Sequence, residues 1–272
     1  SVVGEFEGGY VPFNFDISQF LNDGENILLV QTDNTLNEST VPTHKTDWWP
    51  WGGIVGDVYL IETPNDYIRN AYLQLNPDDF SQAVFKLQMA TKSSRQKVIL
   101  EIPELKYKEE FETDSSGFIQ ENIIITPELW SPSNPKLYKV IISSQNESIS
   151  DEIGFRSIKT KGQKIYLNNN EIKFKGIAMH SEPIGAPGPA FSKEHFEKLL
   201  ATATDLNINF IRAAHYPYTR HLAKVADQIG LMVWEEIPVY WNIDWENPVT
   251  LEIAKDQINR LVQRDQNRAS VV

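Results

Sequence analysis

The chain changes its hydrophobic rhythm near residue 158. Before that point apolar residues come in short runs or alternate with polar ones, and "AVFKLQMA" (83–90) is the clearest alternation. A period of two marks a half-buried strand. "VILEI", "FIQENIII", "LYKVIIS" and "SISDEIGF" follow at strand length, and the Pro-rich "TPELWSPSNP" from Thr126 to Pro135 interrupts them. Strands of this length and spacing predict an antiparallel sandwich over residues 65–157. Residues 1–64 also read as strands and turns. "ENILLVQT" is predicted as a strand after the turn Leu21–Gly24, and "IVGDVYLIETP" as another, closed by Pro64. Between them lies "HKTDWWPWGGI", a loop with three tryptophans.

From residue 158 the period lengthens. "KIYLNNNEIKFKGIAM" predicts a hairpin across Asn168–Asn170 that leads into a buried strand. Ser192 is placed to cap a helix whose apolar stripe is Phe196, Leu199, Leu200, Ala203 and Leu206. Strand "INFIR" comes next. A second helix carries Leu222, Val225, Ala226 and Ile229, and Gly230 supplies its stop. Strand "LMVWEE" follows at once. Thr250 is the expected cap of a third helix with Leu251, Ile258, Leu261 and Val262 inward, and "SVV" begins a fourth strand. Strand and helix alternate three times, which is the grammar of a parallel sheet. Polar residues gather where the strands end: His180 and Glu182, then Arg212 and His215, then Glu235 and Glu236. In a (β/α)8 barrel those ends build the active site. Residues 158–272 therefore read as the first part of such a barrel.

Composition narrows the partners. The 272 residues suit two or three domains, and 41% apolar content can fill their cores. A net charge of −12 repels a phosphate backbone or an anionic bilayer, so neither nucleic acid nor membrane is an expected partner. No apolar run approaches the roughly 20 residues of a membrane span. The absence of cysteine excludes a disulfide framework, a thiol nucleophile and cysteine-ligated zinc. Thirty Phe, Trp and Tyr residues lead us to expect aromatic surface for a ring-shaped partner. The chain opens on Ser1 without Met or a leader, so the native N-terminus is expected to be missing. That leaves the compartment, periplasm or cytoplasm, open.

Five segments in order, "GEFEGGYVPFNFDIS", "DWWPWGGIVGDVYL", "FKGIAMH", "NFIRAAHYPY" and "LMVWEEIP", closely resemble glycoside hydrolase family 2, the β-galactosidases, β-glucuronidases and β-mannosidases. "DEIGFRSIKTKGQKIYLNNNEIKFKGI" is similar to that family's passage from an immunoglobulin-like domain into the barrel. The resemblance implies a partial sugar-binding jelly roll (1–64), an immunoglobulin-like β-sandwich (65–157) and an incomplete (β/α)8 barrel (158–272). It implies a retaining, exo-acting enzyme with two glutamates and a covalent glycosyl intermediate. The acid/base would follow an Asn at the end of barrel strand four, and the nucleophile would end strand seven. Both are expected beyond Val272, so the chain alone is expected to be inactive.

What the resemblance implies within the chain is the supporting half of a pocket: Asp47, His180, Arg212, His215, Tyr216, Glu236 and Trp241 on a carbohydrate. A guanidinium beside a carboxylate keeps it ionised and holds it with a planar fork. An imidazole can hydrogen-bond a hydroxyl in either direction. From the residues alone, the alternatives are a loop cap for Asp47, core packing for His180 and His215, and packing under a loop for Trp241 or Trp245, with the strand-end position favouring the pocket for both histidines. Glu236 is expected inward, with Glu235 an outward salt-bridge partner. His44, His195 and His221 are expected on the surface. Magnesium-dependent relatives carry a Glu-x-His after the strand-three acidic pair, where this chain reads "IPVYWN" (Ile237–Asn242), so no metal of that type and no cofactor are expected. The expected function is hydrolysis of β-galactosides. A β-glucuronidase and a non-catalytic carbohydrate-binding scaffold are the alternatives, and a homo-oligomer is among the expected partners.

Overall fold

The structure is a computed structural model that describes residues 1–91 and 95–272. Among the described residues seven antiparallel strands form the sandwich. They are β1 (Tyr67–Leu75), β2 (Gln82–Ala90), β3 (Lys97–Ile102), β4 (Tyr107–Glu112), β5 (Phe118–Ile124), β6 (Tyr138–Ser143) and β7 (Ser148–Ile153). One sheet runs β1-β2-β5 and the other β4-β3-β6-β7. The alternation read from β2 is real: Ala83, Phe85, Leu87 and Met89 are buried while Lys86 faces water. They meet Val98, Leu100 and Ile102 of β3 and Val140 and Ile142 of β6 in one core.

A three-stranded antiparallel sheet links the sandwich to the barrel: β8 (Ile158–Lys161), β9 (Lys164–Leu167) and β10 (Asn170–Ile172). The hairpin turns where predicted. Asn168 and Asn169 both have positive φ, 52° and 65°, the conformation that a tight two-residue hairpin turn requires and that Asn tolerates.

Three parallel strands follow in order, β11 (Gly176–Met179), β12 (Phe210–Ala213) and β13 (Met232–Glu235), with helices α1 (Lys193–Asp205), α2 (His221–Ile229) and α3 (Pro248–Asp265). Val271 bridges Val233 in parallel, the beginning of the fourth strand. Sandwich plus incomplete barrel is thus the architecture. Ser192 caps α1, its Oγ accepting from the His195 N–H at 3.3 Å. Gly230 ends α2 with φ 78°, and a Cβ there would stand 2.4 Å from the Pro132 carbonyl oxygen. Glycine is needed twice over, for the left-handed turn and for this approach.

Several expectations are corrected. Among the described residues the segments 25–32 and 54–64 form no strand and pair with no neighbour: Ile27 is 82% and Leu29 89% exposed. An apolar run is a strand only where an adjacent strand accepts its backbone hydrogen bonds. The strand β11, expected to be buried, is largely exposed because it lies at the edge of its sheet. Leu206 and Ile229, at the last turns of their stripes, are exposed. Helix α3 is capped by Asn247, whose side chain accepts from the Val249 N–H at 3.0 Å. Thr250 is instead buried, and its hydroxyl donates to the Ser39 carbonyl at 3.0 Å. The inner face of α3 is Thr250, Ile253, Ala254, Gln257, Leu261 and Asp265, so of the expected set only Leu261 is fully buried. The first four of these face residues 39–43, with Gln257 donating to the buried Val41 carbonyl at 2.8 Å. No helix among the described residues is long and apolar enough to cross a membrane.

The seam between sandwich and barrel is polar and buried. Trp130, fully buried, comes from the Pro-rich loop and packs on Leu167, Met232 and Ala269. Its indole donates to the Asp227 carbonyl at 2.8 Å. Asp227, buried on α2, accepts from the Ser270 N–H at 2.7 Å and from Arg268 at 3.3 Å, and Arg268 also binds Asp151 of β7. Arg156 donates to the carbonyls of Ala269, at 3.0 Å, and of Val271. Burial pushes the Asp227 carboxyl up to about 6 despite the pull of Arg268 and the Ser270 bonds.

Candidate active-site face

The register of the parallel sheet brings the chemistry together. Ala178, Arg212 and Trp234 lie side by side across β11, β12 and β13 on one face, while Ile211 and Val233 point the other way into the core. Apolar residues that must bury against the helices therefore force Arg212 to the opposite face, the interior of the barrel. Glu236, one residue past β13, meets it there. Arg212 Nε donates to Glu236 Oε1 and its Nη2 donates to Oε2 at 3.1 Å, a two-pronged pair. Those bonds hold the guanidinium pKa above its ordinary value.

His215 completes the cluster. Its Nδ1 lies 3.1 Å from Arg212 Nη2 and 3.3 Å from Glu236 Oε2. A neutral Nδ1 would accept from the arginine and a protonated one would donate to the glutamate, so the tautomer and the pair are coupled. Nδ1 is committed either way, which leaves Nε2 for a ligand. The peptide preceding His215 is cis. His180 stands edge-on to the His215 ring at 5.6 Å. Its Nδ1 is buried with no partner among the described residues. Burial, and then the neighbouring His215, lower its pKa, so it is held as a neutral imidazole.

Asp47 arrives from the N-terminal segment, which is tied down by its own anchors. Residues 39–43 hold to α3, and Trp48 is buried in the barrel core. The Trp48 indole donates to Tyr10 Oη at 2.9 Å, and Tyr10 stacks on Tyr216 at 4.6 Å. Asp47 remains exposed, and its Oδ2 accepts from Tyr240 Oη at 2.6 Å. No backbone N–H among the described residues bonds to it, which is what a loop cap would require.

Asp47, His180, Arg212, His215 and Glu236 thus converge. Tyr216 does not stand with them in the wall: it is 6% exposed, packed behind Trp48, and its hydroxyl accepts from the Ser181 N–H at 3.3 Å. Burial pushes that phenol up to about 12. Trp241 is 68% exposed at the rim, edge-on to Tyr240, and Trp245 is also exposed. Glu235, as expected, turns away from the pocket and makes a salt bridge. Its side chain, 4% exposed on the helix side of β13, lies 3.3 Å from Arg264 and beside Asp265. Burial first, and Asp265 second, hold its pKa well above the ordinary carboxyl value. His221 sits at the surface, 3.2 Å from Asp57. Trp48, Tyr10 and Tyr240 carry the site as well and were not read from the sequence, although Tyr240 neighbours Trp241. Among the described residues no group of three His, Asp or Glu could hold a metal ion.

Comparison with known proteins agrees with this layout. The profile described as glycosyl hydrolases family 2 matches residues 66–156, and that of the family 2 TIM barrel domain matches 158–272. The chain is 26% identical to a putative β-glucuronidase of Formosa agariphila, over 97% of this chain and 34% of the relative. It is 27% identical to a β-galactosidase of Thermoanaerobacter pseudethanolicus, over 99% of this chain and 38% of the relative. It superposes on a β-glucuronidase of Parabacteroides merdae with a TM-score of 0.82 at 20% identity, covering 99% of this chain and 37% of that one, a likeness of fold. The chain spans about a third of the length of these relatives. Two adjoining profiles of one family, in order over a sandwich and the opening strands of a barrel, make this chain a member of glycoside hydrolase family 2.

Proposed function

We propose that the chain is part of a retaining, exo-acting β-glycosidase that hydrolyses β-galactosides, and that it supplies the glycone side of the pocket. In this reading the acid/base and nucleophile glutamates belong to later barrel strands, so the chain by itself does not hydrolyse. Its units are a jelly-roll portion (1–64), an immunoglobulin-like sandwich (65–157) and the opening of the barrel (158–272). The observation that carries the proposal is the convergence of Asp47 with the Arg212–Glu236–His215 cluster at the strand ends. Arg212 orients the cluster and lends positive charge to the attacking carboxylate. His215 Nε2 and the Asp47 carboxylate take sugar hydroxyls.

A neutral glycone is favoured over a uronate by charge. Asp47, Glu182 and Glu236 are acidic, and among the described residues of the cluster they face one arginine, Arg212. A uronate carboxylate would meet repulsion from these three there. The test is hydrolysis of nitrophenyl β-galactoside and nitrophenyl β-glucuronide by the full-length enzyme, with the 272-residue chain beside it. Preference for the galactoside by the full enzyme, with an inert chain, is the expected result. Preference for the glucuronide would reverse the substrate reading. Comparable rates from the chain alone would move the catalytic carboxylates into it.

A further inference from the structure

We propose that Tyr240 is a positioning residue that sets Asp47 and His215 at a fixed mutual geometry for the glycone. This inference rests on the reading of Asp47 and His215 as glycone ligands. Those two residues belong to segments far apart in the chain, and Tyr240 touches both. Its hydroxyl donates to Asp47 Oδ2 at 2.6 Å. Its ring stacks on the His215 imidazole, centroids 4.5 Å apart and planes 28° apart. The same ring meets Trp48 edge-on at 5.2 Å, and Trp48 is buried and fixed by its bond to Tyr10.

The chemistry of each contact points the same way. A phenol has one hydrogen to donate, so it fixes one carboxylate oxygen and leaves the other for a sugar hydroxyl. Asp47 lies on an exposed loop, and an aspartate there would otherwise sample its rotamers freely. The bond to Asp47 raises the pKa of Tyr240, so the phenol keeps its proton and stays a donor across the neutral range. On the other side, Arg212 and Glu236 hold His215 only by its Nδ1 edge. Such a hold permits the ring to tilt. The Tyr240 ring, stacked closer to the imidazole than Trp48 at 5.8 Å or His180 at 5.6 Å, restricts that tilt and so sets where Nε2 aims. One side chain therefore fixes both a carboxylate and an imidazole.

The experiment uses the full-length enzyme with Tyr240→Phe, Tyr240→Leu, Asp47→Ala and the double variant Asp47→Ala/Tyr240→Phe. Substrates are the nitrophenyl β-galactoside, β-glucoside and β-fucoside, and melting temperature is measured for each protein. Tyr240→Phe keeps the ring and loses the bond. It should keep the wild-type melting temperature, lower kcat/KM on the galactoside about tenfold, as expected for a bond to a charged group in partial contact with water, and change the ranking of the three sugars as Asp47→Ala does. In the Asp47→Ala background it should add nothing. Tyr240→Leu should lose more, with kcat falling as His215 tilts. Wild-type kcat/KM and ranking in Tyr240→Phe, alongside an altered Asp47→Ala, would overturn the inference and leave the functional reading standing. Fully additive losses in the double variant would also overturn it. An unchanged ranking in Asp47→Ala would remove both.

Discussion

Raising the pH from about 4.5 to about 7.5 should weaken this chain through one buried carboxyl, Asp227. An aspartate in the unfolded chain titrates near 3.8, and in the folded protein burial moves Asp227 to about 6. The folded state therefore binds this proton more tightly than the unfolded state does. The contribution is fully present below the unfolded value and is lost as the pH climbs through the folded one. The whole span is about 3 kcal/mol at 1.36 kcal/mol per pKa unit, and roughly 2 kcal/mol of it falls between pH 4.5 and 7.5. Exposed carboxylates such as Asp79 and Asp114, whose pKa values are lowered by their own turn bonds, act in the opposite sense. The comparison must for that reason be a difference between proteins. Asp227→Asn has the same shape, can still accept from the Ser270 N–H, and cannot ionise, while Arg268 retains Asp151. Denaturant titrations of both proteins at the two pH values are the assay. The wild type should lose about 2 kcal/mol more than the variant on going to the higher pH, equivalent to a differential of about 4–8 °C in melting temperature. Equal pH dependence in the two proteins would refute the account of Asp227 as a group that ionises against its surroundings.

Two further outcomes are expected. Arg212→Ala in the full-length enzyme should cut kcat on nitrophenyl β-galactoside by about a hundredfold or more, since an oriented charge at the reacting centre is lost; a near wild-type value would exclude Arg212 from the pocket. Trp130→Ala should destabilise the chain by about 3–5 kcal/mol in a denaturant titration, because a fully buried ring is deleted at the seam, and a loss below about 1 kcal/mol would mean that the seam collapses around the gap.

The sequence disclosed most where local chemistry and tertiary context agree. Alternation in β2, the Asn pair of the β9–β10 hairpin, the Ser192 cap and the Gly230 stop were all legible, and so was the order of the barrel strands. The strand β1 was harder to read, since a register shift between Ile68 and Asn70 breaks its alternation. The strand β4, "YKEEFE", offers only Tyr107 and Phe111 as apolar residues and hides among charges. Thr250 displaced Asn247 as the expected cap, although Asn247 before Pro248 combines an N-cap with a proline at the first helical position. At the site, the cluster of polar residues at strand ends pointed to Arg212, His215 and Glu236. Tyr240 could not be found that way. Its role depends on Asp47, 193 residues earlier, and no pattern of spacing encodes so distant a contact. Trp241 attracted attention as the larger ring, but it lies outside the contact that its neighbour makes.

The grip of Arg156 on the carbonyls of Ala269 and Val271 has a consequence for how chains of this family can be recombined. The sandwich does not merely precede the barrel on the chain; it clamps the backbone where the fourth barrel strand begins. A graft that exchanged residues 65–157 for those of a distant relative would remove Arg156, Trp130 and Asp151 together and leave Arg268 and Asp227 facing a foreign surface. Such a hybrid would inherit a misaligned fourth strand along with its new module. Viable hybrids should be those that carry both sides of the seam as one inherited unit, so the natural breakpoint for exchange lies outside the sandwich and barrel opening, not between them.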